Sequence, residues 1–542
     1  MGCQDAASQS WQSVQPRGDQ PFPQDIKGSH QMANKNRTIT SSVRFGVEPS
    51  AHQAVPNDDS AFRILVIGDL GGVTSFHTPV LIDCDDLDKV IHQLQVHTRV
   101  HLNEGDPAIE IPFTGFGDFH PDRLFSRLSV FEAMRSRRQR LQNESTCQQE
   151  IAAIIEANTK DSKDPQSALG SSNQPAKSRP NAEELLSDVL NITQAAQKPL
   201  VEQVLEGVFD WDNYVRHLVA PYVVSKADPR QSELIAGVDA AVADTMRAIL
   251  HNSAFQRLEA TWQGIRFLTR RLETNSTLQL SVMHVAPGDF QADLLTGDDL
   301  TPTKLFKVLV DDVTAEGATP WSLVVGDFQF GISPDQSETL ARVATICEAA
   351  GTIFASGAAP EIAGCEDFVS SENSAEATDP RNWTALSDEE LQRWNHIRKF
   401  SSSRHVVLAL PKLLARRPYG LYSDEIESFV FDEVPDGTRR EHYLWMNAAF
   451  GIAAMFGSAF ATAGRNFALD IPGELEQLPV HVFQNDGDEQ IQYGTVVALS
   501  DRAAAKFAEC GLTVFRAVRN EESIRVATVR TLSATDPDLP GY

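Results

Sequence analysis

The chain has 542 residues, of which 42% are hydrophobic, and it carries a formal net charge of −27. This length and composition predict two or three globular domains, while the strong negative charge disfavours nucleic acid and anionic lipid surfaces as partners. The six cysteines form no C-x-x-C pair, so the sequence indicates neither a zinc site nor a disulfide framework, as is typical of proteins from the reducing cytoplasm.

Residues 1–58 form the first segment of the chain. They are rich in Gln, Ser, Asn, Asp and Pro and contain few apolar residues, so we predict a disordered arm. The first residues show no apolar run of an export signal, and position 6 is Ala where a myristoylation motif has Ser or Thr. The sequence therefore predicts a cytoplasmic protein without an export signal or a lipid anchor.

Globular sequence begins at Phe62 with the run Phe-Arg-Ile-Leu-Val-Ile-Gly-Asp, which ends at Asp69. Its consecutive apolar residues, followed by Gly68, are typical of a buried strand that ends in a turn. A Gly-Asp turn after a strand also occurs at the two-metal sites of metallophosphoesterases. Those enzymes need a G-N-H-[DE] element as well, which the sequence lacks. A metal-dependent phosphoesterase is therefore a weak alternative.

Two further stretches accompany this strand. Leu81–Ile91 reads Leu-Ile-Asp-Cys-Asp-Asp-Leu-Asp-Lys-Val-Ile, and Phe116–Leu124 reads Phe-Gly-Asp-Phe-His-Pro-Asp-Arg-Leu. The aspartates of the first stretch lack the spacing of a calcium-binding EF-hand loop, so we interpret them as a solvated turn and helix start. Together with the Gly-Asp strand, both stretches resemble the small sheath subunit (TssB or VipA) of bacterial type VI secretion systems. We therefore interpret residues 59–155 as a small sheath subunit-like domain.

Residues 156–182 are polar and contain three prolines, which predicts a flexible linker. Fully extended, such a linker reaches at most ~90 Å, enough for the two flanking halves to pair within one chain. A short amphipathic segment follows, and it displays four apolar side chains: Leu185, Leu186, Val189 and Leu190. An ordinary docking helix would show the same pattern.

A strongly periodic stretch runs from residue 255 to residue 268. Its apolar residues recur every three or four positions and predict one buried stripe of a helix, with Glu259 and Arg266 off that stripe. Ser253 followed by Gln256 predicts a capping-box start. The apolar residues are Phe255, Leu258, Trp262, Ile265 and Leu268. The words Leu-Glu-Ala-Thr-Trp-Gln-Gly-Ile-Arg-Phe-Leu resemble the signature of the large sheath subunit (TssC or VipB) of the same secretion systems.

The resemblance to the large subunit continues in the same order along the chain. It covers Pro320–Phe330, which contains Gly326-Asp327, as well as Arg417–Gly420 and Glu441–Phe450. We expect Asp327 to bind backbone N–H groups at a strand end, as turn aspartates do. The apolar stretch 443–463 is rich in Ala and Gly, which predicts a buried core helix that stops at Gly464 and not a membrane span. We interpret residues 183–542 as a large sheath subunit-like domain.

The sequence thus predicts a mixed α/β (α+β) fold with two sheath-subunit-like modules, each a mixed sheet flanked by helices, joined by a flexible linker. No G-x-S-x-G, Walker or H-E-x-x-H motif occurs, so we expect no enzyme activity, cofactor or metal. The resemblance implies a structural subunit of a bacterial contractile sheath that assembles with other sheath subunits around an Hcp inner tube on a baseplate. It also implies recycling by the ATPase ClpV, with the segment at Leu185, Leu186, Val189 and Leu190 as the candidate binding helix.

One difference from the family leaves a second class of function as an alternative. Large sheath subunits continue beyond the stretch that resembles residues 495–515, whereas this chain ends at Tyr542. The strands that link neighbouring subunits would then have to come from elsewhere, and open edge strands would otherwise remain. The alternative is a sheath-like accessory or regulatory protein that does not polymerise.

Overall fold

The computed structural model describes residues 60–150 and 231–539, with gaps at 104, 106, 144–145, 147–148, 315–318, 369–378, 422, 465–472, 486, 519–520 and 537–538. The described residues belong to one compact unit, Phe45–Tyr542. The predicted arm 1–58, the linker 156–182 and the segment with Leu185, Leu186, Val189 and Leu190 lie outside the described residues.

The strands of the described chain form one large sheet and three two-stranded sheets. They are β1 (Phe62–Gly68), β2 (Val80–Leu81), β3 (His97–Val100), β4 (Ile109–Pro112), β5 (Leu278–His284), β6 (Leu323–Phe330), β7 (Ile353–Ala358), β8 (Val406–Leu410), β9 (Leu413–Leu414), β10 (Trp445–Met446), β11 (Gly473–Leu475), β12 (His481–Asn485), β13 (Asp488–Gln492), β14 (Thr513–Ala517) and β15 (Ile524–Val526). The small sheets pair β3 with β4, β9 with β10, and β12 with β13.

The large sheet has nine strands in the order β11-β15-β14-β8-β7-β6-β1-β5-β2. Its centre, from β14 to β5, is parallel, and antiparallel strands close both edges. Helices join its parallel strands, as such crossovers require. The mixed α/β class with a mixed sheet flanked by helices is therefore confirmed.

Strand β1 occupies an interior position of this sheet. It is parallel to β5 on one side and to β6 on the other, although both neighbours lie far later in the sequence. Its run Ile64–Ile67 is fully buried, with alternate side chains entering the hydrophobic clusters on opposite faces. Such continuous apolar runs are typical of parallel strands covered on both faces. The two predicted modules thus share one sheet, because β1 completes its backbone hydrogen bonds only between strands of the later segment.

Helices cover both faces of the large sheet. Their bounds are α1 (Leu87–Leu94), α2 (Pro121–Arg127), α3 (Glu132–Gln142), α4 (Gln231–Leu250), α5 (Ser253–Arg271), α6 (Pro287–Leu295), α7 (Lys304–Phe306), α8 (Pro334–Ala350), α9 (Asp388–Ile397), α10 (Ala448–Ala463) and α11 (Asp501–Glu509). The cluster on one face contains side chains of α1 to α5 and α10, and the cluster on the other contains those of α6 to α9 and α11.

Helix α5 is the helix predicted from the periodic stretch. The residues Phe255, Leu258, Trp262, Ile265 and Leu268 are all buried in it. Its N-cap is Asn252, whose side chain accepts a hydrogen bond from the backbone N–H of Ala254 at 3.0 Å. The predicted capping box at Ser253 and Gln256 is therefore wrong by one residue, because Asn252 also supplies a good capping oxygen.

Helix α10 confirms the predicted core helix from Ala448 onward, whereas the start of the predicted stretch contains β10 (Trp445–Met446). Asn447 caps its start, and it ends at Gly464, which adopts a positive φ of 66°. Its residues from Ala448 to Gly457 are buried. Among the described residues, no helix is long and apolar enough to span a bilayer. Helix α10 is therefore a core element that packs against α5.

The contact between α5 and α10 depends on Gly264. A Cβ atom at this position would lie 2.4 Å from the ring of Phe450. We expect Gly264→Ala to lower the free energy of unfolding by about 1–3 kcal/mol, because the Phe450 ring must leave a packed position.

The matched control is Gly288→Ala in α6, where a Cβ atom meets no neighbour within 4 Å. Chemical denaturation of both variants measures the difference, and we expect the control to be as stable as the natural protein or slightly more stable. Equal stability of the two variants would contradict the close helix crossing.

Candidate functional site

The two Gly-Asp elements lie side by side in the structure. In the pairing of β1 with β6, Ile67 is opposite Gly326, so Gly68 is the neighbour of Asp327. The approach is close, because a Cβ atom at Gly68 would lie 2.8 Å from the Cβ atom of Asp327. Two motifs that lie far apart in the sequence thus form one junction in the interior of the sheet, and a glycine is required at Gly68 for this contact.

Asp327 does not occupy the predicted position at a strand end. It lies inside β6, and its Oδ2 atom accepts a hydrogen bond from the Thr261 hydroxyl on α5 at 2.5 Å. The Asn447 side chain is a second partner, and it also donates to the Phe328 carbonyl at 2.7 Å. Desolvation raises the pKa of Asp327. The expectation that Asp327 binds backbone N–H groups is wrong, and its carboxylate instead connects β6 with α5 and α10.

Asp69 has a different environment from Asp327. Its side chain is exposed at the end of β1, where Oδ1 accepts a hydrogen bond from the backbone N–H of Gly71 at 3.1 Å. The same oxygen lies 3.6 Å from Nδ1 of His284. Asp69 is therefore not part of the buried core. Asp69 shapes the turn after β1 at the surface.

His284 supports this turn from β5. Its buried ring accepts a hydrogen bond from the backbone N–H of Leu70 through Nδ1 at 3.0 Å. Desolvation lowers the pKa of His284, which favours the neutral imidazole that this acceptor role requires. The backbone N–H of His284 donates in turn to Nε2 of His77 at 2.9 Å. The end of β1 is thus held by side chains as well as by strand pairing.

Helix α5 contacts the same turn from above the sheet. The indole N–H of Trp262 donates to the carbonyl of Leu70 at 3.2 Å. Gly71 has a φ of 69°, and a Cβ atom there would lie 2.8 Å from a methyl group of Leu258. Because Thr261 bonds to Asp327 and Trp262 bonds to Leu70, two adjacent helix residues connect both Gly-Asp elements. We call this arrangement the signature junction.

A buried ion cluster lies on the same helix. The guanidinium of Arg416 is 2.6 Å from Glu259 and 2.7 Å from Glu433, and all three side chains are almost completely buried. Glu433 also accepts a hydrogen bond from the backbone N–H of Tyr419 at 2.7 Å, and Arg416 stacks on the Tyr419 ring at 4.0 Å. The cluster therefore joins α5 to two distant loop segments through charge-assisted hydrogen bonds.

The pKa shifts in this cluster follow from its burial. Desolvation raises the pKa of Glu259. Desolvation opposes the charge of Arg416, but attraction by Glu259 and Glu433 raises its pKa well above the usual value. Arg416 consequently stays charged, and it compensates the carboxylates that surround it.

Periodicity placed Glu259 off the apolar stripe and thus gave no sign of its burial. Helix α5 is covered on two sides, so its second face is enclosed by the segment around Arg416. Thr261, His284, Asn447 and Glu433 were also not singled out. Two of these residues lie within stretches that resemble the large subunit: Thr261 directly before Trp262, and Asn447 within Glu441–Phe450.

The geometry favours a structural over a catalytic role for this junction. Among the described residues, one group could present three potential metal ligands, namely Asp83, Cys84 and Asp85 in the exposed turn before α1. Asp83 Oδ1 accepts hydrogen bonds there from the backbone N–H groups of Asp85 and Asp86. Neither Gly-Asp element belongs to such a group, and the Asp327 carboxylate is already bonded to α5. The residues at the two Gly-Asp elements therefore do not fit the two-metal centre of a phosphoesterase.

Comparisons with known proteins agree with a structural role. Residues 232–533 match the family model VipB, described as EvpB/VC_A0108, tail sheath N-terminal domain. Over 286 residues the chain is 31% identical to the type VI secretion system sheath protein TssC1 of Pseudomonas aeruginosa. That alignment covers 51% of this chain and 56% of the relative, so the chain spans about half the length of this curated protein. Residues 59–155 lie outside the family match, and their resemblance to a small sheath subunit stays a prediction.

The buried ion cluster can be tested with two adjacent arginines. Arg416→Met removes the cation between Glu259 and Glu433, and we expect a loss of about 3–5 kcal/mol in the free energy of unfolding, because buried carboxylates lose their partner. Arg417→Met removes only an exposed pair with Glu522, so we expect a loss below about 1 kcal/mol. Urea denaturation curves of both variants measure the difference, and similar losses would contradict the importance of the cluster.

Proposed function

The chain belongs to the VipB family of tail sheath proteins, and from this we propose that it is a structural subunit of a type VI secretion sheath. The similarity to the sheath protein TssC1 supports a structural role, not an enzymatic one. In such a sheath the function is mechanical: subunits assemble with one another, and their rearrangement performs the work. The buried signature junction, which joins a helix and two strands into one body, suits that role.

We propose further that residues 59–155 supply the small sheath subunit within the same polypeptide. The observation that carries this proposal is the position of β1, which pairs with β5 and β6 in the interior of the sheet. Trp262 and Thr261 of the large-subunit-like segment then hold the end of β1 and its neighbour β6. Fusion of two subunits fixes their one-to-one ratio and raises their effective concentration to roughly the millimolar range.

A second contact between the segments supports the same proposal. Arg138 of α3 forms a bidentate pair with Asp239 of α4, with distances of 2.7 and 3.3 Å. Asp122 of α2 accepts hydrogen bonds from the backbone N–H groups of Glu427 and Ser428. Both contacts join residues before the linker to residues after it, so the two segments pack as partner subunits would.

The proposed assembly surrounds an Hcp inner tube on a baseplate in the bacterial cytoplasm, and contraction of the sheath drives effector delivery. Energy for contraction is stored when the extended sheath assembles, so the sheath itself requires no nucleotide, metal or cofactor. Movements of this kind displace near-rigid bodies against one another. A structural subunit therefore needs a stable interior more than a reactive site.

The ATPase ClpV is the proposed recycling partner. Its candidate binding helix is the leucine-bearing segment at Leu185, Leu186, Val189 and Leu190, which is outside the described residues. The segment precedes the family match, which begins at residue 232. Its position after the polar stretch 156–182 would make it accessible to a partner, and its four apolar side chains offer the apolar face of an amphipathic helix.

Electron microscopy tests the sheath proposal most directly. We expect negatively stained preparations of the full chain, mixed with an Hcp-type tube protein, to contain ordered hollow tubes wider than the tube protein alone. Uniform small particles in the presence and absence of the tube protein would contradict a polymerising sheath subunit and favour a sheath-like accessory protein.

The ClpV proposal has a separate test. We expect Leu185→Asp combined with Leu186→Asp to abolish capture of the chain by immobilised ClpV, because two charges remove the apolar face of the segment. Glu183→Gln combined with Glu184→Gln changes the neighbouring polar residues and serves as the matched control. Undiminished capture of the leucine variant would refute this assignment.

A further inference from the structure

A cleft of about 490 Å³ lies beside the C-terminal half of α5. Its walls are that half of α5, the segment around residues 415–424 and the short stretch 477–479. Five arginines line it: Arg266, Arg270, Arg271, Arg416 and Arg417. We call it the arginine cleft. A concentration of cations is unexpected on a chain with a net charge of −27, where random placement would favour acidic surfaces.

Three of these arginines are engaged by the chain itself. Arg416 belongs to the buried ion cluster, and Arg417 lies 3.2 Å from Glu522. Arg271 donates to the carbonyls of Glu476 and Gln477, and Gln477 has a left-handed φ of 57°. A non-glycine residue in that region is strained, so Arg271 holds one wall of the cleft in a defined but costly conformation.

The other two arginines are available to a ligand. Arg266 and Arg270 are four residues apart on α5, so their side chains lie on one face about 5–6 Å apart at the Cβ atoms. In the described part of the chain, neither of them forms an ion pair. Arg266 stacks on the ring of Phe116 at 4.5 Å, and desolvation together with the charge of Arg270 lowers its pKa. Asp424 also lines the cleft and attracts Arg266, but it forms no ion pair with either arginine in the described part of the chain. The two neighbouring cations therefore still favour an incoming anion.

The chemistry of the cleft indicates an acidic peptide segment with an apolar residue. Phe267, Leu478 and Pro479 add apolar surface beside the two free cations. A segment of this kind exists on the surface of the same chain, at the first turn of α9. Asp388 and Glu389 are exposed there, and Leu391 beside them is 47% exposed.

The geometry of α9 leaves these carboxylates free to bind. Ser387 and Glu390 form a capping box, so Glu390 is used within the helix. Trp394 and Ile397 on the next turns are buried and anchor α9 to the body of the protein. The first turn therefore projects Asp388, Glu389 and Leu391 outward from a rigid support.

We propose that the arginine cleft of one copy binds the first turn of α9 of a second copy, with Asp388 and Glu389 against Arg266 and Arg270. The contact uses two different surfaces, so it is heterologous and can continue from copy to copy into an open helical array. This inference rests on the proposed function, because it specifies one contact by which sheath subunits associate. Complementary charge would also accelerate the encounter of two otherwise repelling acidic chains.

A charge-swap experiment tests this contact on the full chain. One variant carries Arg266→Glu and Arg270→Glu, and a second carries Asp388→Arg and Glu389→Arg. Sedimentation velocity measures self-association across protein and salt concentrations, and circular dichroism checks that both variants fold. We expect each variant alone to need about tenfold more protein to associate, and we expect an equal mixture of the two to regain association.

Recovery in the mixture is the decisive result, because each variant then offers its partner an opposite charge. The matched control carries Arg123→Glu and Arg257→Glu, two exposed arginines outside the cleft, and it should associate like the natural chain. Unchanged association of the Arg266→Glu/Arg270→Glu variant would overturn the proposal. The remaining candidate ligands of the cleft would then be a segment of its own chain or a free anion. Failure of the mixture to recover would overturn it as well.

Parallel electron microscopy separates this inference from the sheath proposal. Salt-sensitive association with recovery in the mixture, but without tubes, would support the contact and reject the polymerising sheath. Tubes that form equally well from the Arg266→Glu/Arg270→Glu variant would support the sheath and reject the contact. A natural chain that shows neither association nor tubes would reject both.

Discussion

The backbone pairing of β1 is the constraint on which the rest of the structure depends. A strand in the interior of a sheet has no free edge, and all seven residues of β1 pair with β5 while four of them also pair with β6. Without β1, β5 and β6 would each expose a row of unpaired backbone groups in the middle of the fold. The described segment 60–150 is therefore part of the core and not an appended domain.

Side chains convert this pairing into a fixed geometry. Thr261 and Trp262 of α5 bond to Asp327 and Leu70, and His284 bonds to the same turn from β5. On the other side of α5, Arg416 forms ion pairs with both Glu259 and Glu433. Burying three charges costs desolvation energy, and a hydrophobic cluster of equal volume could be as stable. The ion cluster instead favours one arrangement of the loops around the helix, because any arrangement that buries an unpaired charge is strongly disfavoured.

The sequence predicted the elements whose signal is local. Periodicity identified α5 and its apolar stripe, and an unbroken apolar run identified β1, because both patterns reflect burial along one segment. Pairing of β1 with β5 and β6 is non-local, so no window of the sequence contains it. The burial of Glu259 and the role of Asp327 escaped for the same reason, since each depends on a partner far along the chain. Asn252 and Ser253 are both good N-cap residues, and the path of the preceding chain determines at which of them the helix begins.

The proposed fusion of two subunits would have a mechanical consequence for the proposed sheath. Force between the segments of one subunit would pass through the pairing of β1 with β5 and β6, together with contacts such as Arg138 with Asp239. A covalent connection would therefore secure correct pairing during assembly, whereas the shared sheet would transmit movement during contraction. The signature junction fixes the end of β1 in that shared sheet, through the bonds of Thr261, Trp262 and His284.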